Sequence, residues 1–126
     1  MLKAIIAIAI GSAAGGILRW ILSNKFNHYY TIPFGTLLSN LIAGYIIGFA
    51  MSLLSNFPSI SPEWRLLIIT GFCGGLSTFS TFSAEIVNFL QKGQITLGIS
   101  AIAIHVIGSI IMTILGILTY QLIKQG

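Results

Sequence analysis

The sequence predicts an all-α membrane protein of four transmembrane helices, and three observations predict it. Of the 126 residues, 56% are hydrophobic and only 6% charged, with a mean hydropathy of +0.98; soluble domains carry about 25% charged residues. The charges fall at Lys3, Arg19, Lys25, Glu63, Arg65, Glu85, Lys92 and Lys124, leaving uncharged stretches at 4–18, 26–62, 66–84 and 93–123. Those stretches hold four spans of the roughly 20 apolar residues that a bilayer requires. None alternates apolar and polar residues in the manner of a barrel strand, and helices satisfy their backbone hydrogen bonds within one segment.

Charges, turn residues and interfacial aromatics set the helices near 3–23, 33–55, 65–90 and 95–122. The linkers are Asn24–Ile32, Asn56–Trp64 with Pro58 and Pro62, and Gln91–Gln94 with Gly93, all too short for a separate domain. Residues 1–126 therefore read as a single membrane domain. Lys3 ahead of an apolar run resembles a cleavable leader, but Arg19 and Trp20 stand where small cleavage-site residues belong, so the first helix is expected to be retained.

Helix 1 carries Gly11 and Gly15, helix 2 Gly44 and Gly48, and helix 3 Gly71 and Gly75, each pair spaced for close helix approach. Lysines and arginines are balanced between the two faces: Lys3, Arg65 and Lys124 on one, Arg19, Lys25 and Lys92 on the other. A charge bias is what orients membrane helices, and a balanced count is what copies inserted in both orientations would show. The balanced count leaves two readings open, a weak bias arising by chance in a small protein, or dual topology with copies inserted both ways up and paired antiparallel.

Polar residues inside the spans need hydrogen-bond partners or a function. In helix 2, Thr36, Asn40, Gly44 and Gly48 share one face; in helix 4, His105, Ser109, Thr113, Gly116 and Tyr120 form a second stripe. Helix-to-helix hydrogen bonding accounts for many such residues, and a non-transporting scaffold subunit would need nothing more. Helix 3 goes further. Residues 70–85 read TGFCGGLSTFSTFSAE, where three glycines and seven Ser, Thr or Cys residues interrupt an apolar run, so helix 3 is expected to break near 74–78. Membranes accommodate a broken helix where its backbone lines a cavity or binds an ion. Phe79 and Phe82, three residues apart, would bring ring edges of partial positive charge to the resumed helix.

The segment GGLSTFSTF, residues 74–82, resembles the signature of the Fluc/CrcB family of fluoride channels. The four-helix plan, the helix-1 glycines, Arg19, Asn40 and the polar helix 4 extend the resemblance across nearly the whole chain. It implies a fluoride-selective channel, multi-pass in a bacterial inner or plasma membrane, exporting fluoride passively through an antiparallel homodimer. It implies a fluoride pathway formed by Asn40, Phe79, Ser80, Thr81 and Phe82, to which Ser109 and Thr113 are added as the helix-4 hydroxyls. Arg19 and Glu85 would lie near the vestibules. A structural sodium ion at the dimer centre would be held by main-chain oxygens of Gly74 and Ser77 from both copies.

The residue types suit that chemistry. Fluoride is small and strongly hydrated, so a pore must replace its water with N–H and O–H donors or polarised C–H edges without a fixed charge that traps it. A small four-helix multidrug exporter coupled to protons would need an embedded Glu in helix 1, and none occurs between Lys3 and Arg19. No nucleotide loop, metal-ligand cluster or carboxylate pair marks an enzyme or a nucleic-acid partner, and the single Cys73 is expected to be a packing residue.

Overall fold

The computed structural model describes residues 1–28 and 31–126; Tyr29 and Tyr30 of the first predicted linker lie outside the described residues. Helix α1 spans Leu2–Phe26 and α2 spans Phe34–Ser55. The third span, Pro62–Gln91, is composite: α3 (Pro62–Arg65), a π-helical stretch (Leu66–Cys73), α4 (Gly74–Leu76) and, after a break at Ser77 and Thr78, α5 (Phe79–Gln91). Helix α6 spans Ile95–Gln125. Four helical segments are thus long and apolar enough to cross a membrane, and no strand occurs among the described residues.

The first, third and fourth spans contain their predicted stretches and run slightly beyond them, while the second, Phe34–Ser55, begins one residue inside its own. The third begins earlier than expected, at Pro62, whose fixed φ suits the first helical turn and whose missing N–H is no loss there. A left-handed Gly93, with φ 74°, turns the chain between α5 and α6. The Lys124 ammonium donates to Asn56 Oδ1 at 2.6 Å, so the end of α6 lies beside the α2–α3 linker. Lys3 lines a groove with Glu63 and Trp64, which puts the start of α1 on that face too.

Packing follows the small residues. Helix α1 lies against the π-helical stretch and α4, and α2 lies against α6. A Cβ on Gly15 would meet the Leu76 amide nitrogen at 2.8 Å, and one on Gly75 would meet the Ser12 carbonyl at 2.6 Å. In the second pair, a Cβ on Gly44 would meet the Ser109 carbonyl at 2.9 Å, and one on Gly116 the Phe49 nitrogen at 2.8 Å. Backbones, not side chains, form these contacts, which dispersion favours when helices share an apolar solvent. Between the pairs, Phe82, Ile86 and Phe89 of α5 form a buried cluster with Ala101 of α6. Ile10 and Ile17 of α1 and Ile107, Ile110, Ile114 and Leu118 of α6 are exposed, as lipid-facing residues are.

The glycine contacts give a paired test. Gly15→Ala places a methyl group inside the backbone of the third span and is expected to destabilise by about 1–3 kcal/mol, whereas Gly16→Ala, with nothing within 4 Å of its Cβ, should be neutral. Thermal unfolding midpoints of the two detergent-solubilised variants check this; equal midpoints would contradict the packing.

Candidate ion site at the helix break

The break is narrow. Ser77 (φ −77°, ψ 154°) and Thr78 (φ −151°, ψ 115°) are extended, while Gly74 to Leu76, where the interruption was also expected, are helical. Gly74 itself has φ −64° and ψ −36°, so no unusual backbone angle requires glycine there. An extended residue presents its N–H and C=O toward the same edge, as in a hydrogen-bonded strand pair. The Asn40 carboxamide occupies that edge: Thr78 N–H donates to Asn40 Oδ1 at 2.8 Å, and Asn40 Nδ2 reaches the Thr78 carbonyl at 3.4 Å. A side chain of α2 thereby supplies what a neighbouring strand would.

Both helix ends at the break are closed by their own residues. Ser77 N–H and Oγ–H donate to the Cys73 carbonyl at 2.9 and 2.8 Å, ending the first half. Thr78 Oγ1 accepts from the Thr81 amide at 3.2 Å, capping α5. In a continuous helix the Thr78 and Thr81 amides would bond the Gly74 and Ser77 carbonyls. Here Asn40 and Thr78 Oγ1 engage them instead, so the Gly74 and Ser77 carbonyl oxygens lose their helical donors among the described residues. One side of the break therefore presents electronegative oxygens and the other the positive end of the α5 dipole.

A cavity of about 430 Å³ lies at the break. Of the predicted site residues it brings together Asn40, Gly74, Ser77, Phe79, Phe82 and Ser109, with His105, Cys73 and Thr78 completing its polar and sulfur groups. The two phenylalanine rings are 5.5 Å apart at 58° but unequal in setting: Phe79 is 77% exposed, whereas Phe82 is 7% exposed and packs on the His105 imidazole at 4.6 Å. His105 Nδ1 lies 3.0 Å from Asn40 Nδ2.

The remaining predicted residues lie outside the lining. Ser80 and Thr81 occupy the first turn of α5, Ser80 Oγ being 3.5 Å from Thr78 Oγ1. Thr113 donates back to the Ser109 carbonyl at 3.0 Å, an engagement that ties its hydroxyl to its own helix. Arg19 Nε donates to the Gly75 carbonyl at 3.1 Å, against the helix break. Glu85 Oε2 accepts from Thr36 Oγ1 at 2.6 Å, and Thr36 N–H donates to Asn27 Oδ1 at 3.0 Å. Sequence reasoning missed the roles of Thr78, His105, Asn27 and the Thr36 hydroxyl. Only the polar stripes of α2 and α6 signalled two of them.

The fold and this site define a multi-pass membrane protein with an interrupted helix whose unpaired backbone lines a cavity. Residues 6–117 match the family model described as CrcB-like protein, Camphor Resistance (CrcB), and the chain belongs to that family. It is 58% identical over 127 residues, covering 100% of both chains, to a Nitrosomonas europaea protein named fluoride-specific ion channel FluC. Proteins of the same name from Chromobacterium violaceum (55% identical, over 99% of this chain and 100% of the relative) and Tolumonas auensis (52%, 100% of both) are similarly close.

The cap at the break is testable alone. Thr78→Ala leaves the Thr81 amide without its acceptor and is expected to lower stability by about 1 kcal/mol, while Thr78→Ser restores most of it. Thermal midpoints of the purified variants provide the measure; a Thr78→Ala midpoint equal to the parent's would remove the cap from the account.

Proposed function

We propose that this chain is a subunit of a fluoride-selective channel that lets fluoride leave the cytoplasm passively. The observation that carries the reading is the 52–58% identity, over the full chain, to proteins named fluoride-specific ion channels, in a chain whose third span breaks at a cavity lined in part by polar residues. The chemistry agrees. Fluoride entering the break exchanges water for the Ser109 hydroxyl of the cavity lining, for the Ser80 and Thr81 hydroxyls at the α5 N-terminus, for the edges of Phe79 and Phe82, and for the polar groups at Asn40, while Thr113, one turn beyond Ser109, keeps its hydroxyl hydrogen on its own helix. Those contacts are neutral, so they offset dehydration without holding the ion too tightly. Arg19 and Glu85, each tied to a neutral partner, shape the approaches to that path.

Two copies in opposite orientations complete the proposed channel, and the balanced count of cations on the two faces supports this. The surface around the break supports it too: Phe79 and Gly74 are exposed in one chain. The Gly74 and Ser77 carbonyls, freed from backbone bonding, suit a sodium ion, which takes oxygen ligands. Among the described residues no group of three His, Cys, Asp or Glu offers another metal site. Bound there, sodium would supply positive charge that holds the carbonyls of the break together. The multidrug-exporter reading has no embedded acid in α1 to rest on.

Purified protein in liposomes should release loaded fluoride, but not chloride, without a proton gradient. Phe79→Ile and Phe82→Ile keep apolar bulk but remove the electropositive ring edge. Flux is expected to fall about tenfold or more, as for loss of one contact of roughly 1.5 kcal/mol to a charged ion, with Met milder because sulfur is polarizable. Parent-level fluoride flux in both folded Ile variants would make the rings packing residues.

Orientation is tested separately by adding two lysines to one face. Cells expressing that variant alone should lose fluoride resistance, and a partner biased to the opposite orientation should restore it. Full resistance from one fixed orientation would rule out the antiparallel pair.

A further inference from the structure

A second groove, of about 410 Å³, shares no residue with the cavity at the break. Gly11 backs onto the Leu67 carbonyl and Gly15 onto Leu76, so α1 and the third span run in the same direction, and the groove opens on the face where both begin. Its mouth carries Lys3, Ser61 and Glu63, and its walls are Ile6, Ile10 and Leu67. About 10 Å of helix separate Lys3 from Ile10, so a charged mouth leads into a slot that is apolar for that depth. Ile6 and Ile10 are exposed, which puts the slot on a lipid-facing side of α1, and Trp64, 54% exposed at the mouth, is the residue type that settles at headgroup level. The two charges share the mouth without pairing: Ser61 Oγ donates to Glu63 Oε2, and the Lys3 ammonium has no hydrogen-bond or ion-pair partner among the described residues.

We propose that this groove binds one phospholipid of the phosphatidylethanolamine class, its phosphate at Lys3, its ammonium at Glu63 and one acyl chain along Ile6, Ile10 and Leu67. Charge complementarity selects the headgroup. A phosphate alone would satisfy Lys3 and leave Glu63 facing a like charge, as phosphatidylglycerol would. A choline headgroup brings a positive charge to Glu63 but no N–H to donate, whereas a primary ammonium offers three donors to a carboxylate. The apolar walls select a lipid over a soluble zwitterion, because an acyl chain removes Ile6, Ile10 and Leu67 from contact with anything polar.

Native mass spectrometry of the full-length protein, released from detergent containing equal amounts of palmitoyl-oleoyl phosphatidylethanolamine, phosphatidylglycerol and phosphatidylcholine, reads the preference directly. Phosphatidylethanolamine is expected to be retained about fivefold over either competitor, the upper range for one exposed ion pair. Glu63→Gln should bring it down to the level of phosphatidylglycerol, and Lys3→Gln should weaken retention of all three, whereas Lys25→Gln at the far end of α1 should change none. A phosphatidylethanolamine carrying a diazirine in its acyl chain should crosslink to the peptides that hold Ile6, Ile10 and Leu67. Equal retention of the three lipids by the parent, a preference that survives in folded Glu63→Gln, or crosslinks spread evenly over the lipid-facing helices would each overturn the site. None of these readouts involves ion flux, so the outcome stands apart from the channel reading.

Discussion

The structure depends on one constraint: a backbone amide cannot be left unpaired inside a bilayer. An unsatisfied group there costs several kcal/mol, so the extended Thr78 exists only because Asn40, 38 residues away on α2, matches its N–H and C=O. From that bracket the other features of the site follow. The Gly74 and Ser77 carbonyls lose their helical donors, the α5 N-terminus is set in mid-membrane, and Phe79 and Phe82 start a new helical register on the far side. Without the amide on α2, the polar run in the third span would gain more from continuing as a helix.

Glycine packing gives that bracket its reach. Helices α2 and α6 approach until Gly44 and Gly116 meet opposing backbone, which puts Asn40 within 3.0 Å of His105 across the pair. On the opposite side α1 presses equally close to the first half of the third span, and Arg19 bonds the Gly75 carbonyl. The break is thus held from two sides, by α1 at the carbonyl end and by α2 at the amide end. The cavity occupies what remains between α2, α6 and the break. Its dimensions are set by main-chain contacts, which change less with side-chain motion than contacts between long apolar residues do.

Much of this was legible in the sequence, for identifiable reasons. The four spans were readable because eight charges among 126 residues leave few places for a membrane surface. The interruption was readable because Ser77, Thr78, Ser80 and Thr81 follow two glycines in a segment that should be apolar. The exact site of the break was not, since Gly74 and Gly75 look like the weak point, whereas the extended residues are the two that a distant Asn supports. Nor did local sequence reveal the π-helical stretch at Leu66–Cys73, a register change of the kind that often marks functional sites. The resemblance implies a vestibule position for Arg19, near the end of the first predicted helix. Its bond to Gly75 joins positions 56 apart in the chain, and no periodicity within one helix encodes such a pairing.

The disposition of charge explains why such a cavity suits passage better than storage. Charged residues within the spans are expensive and usually mark a pathway, yet the two nearest the break are each tied to a neutral group: Arg19 to the Gly75 carbonyl, and Glu85 to the Thr36 hydroxyl that Asn27 supports in turn. Neither lines the cavity. Beside the apolar Ala43, Ile47, Ile69 and Val106, what faces the cavity is a set of dipoles: freed carbonyls, hydroxyls, an amide, an imidazole and aromatic edges. Dipoles replace a hydration shell in small increments, each weaker than a full charge, so an ion can exchange one set for the next. Arg19 adds a further asymmetry. By taking the Gly75 carbonyl it leaves those of Gly74, Leu76 and Ser77 without their helical donors among the described residues, so the cation-favouring and anion-favouring ends lie only a few residues apart, held in place by the same bracket at Asn40.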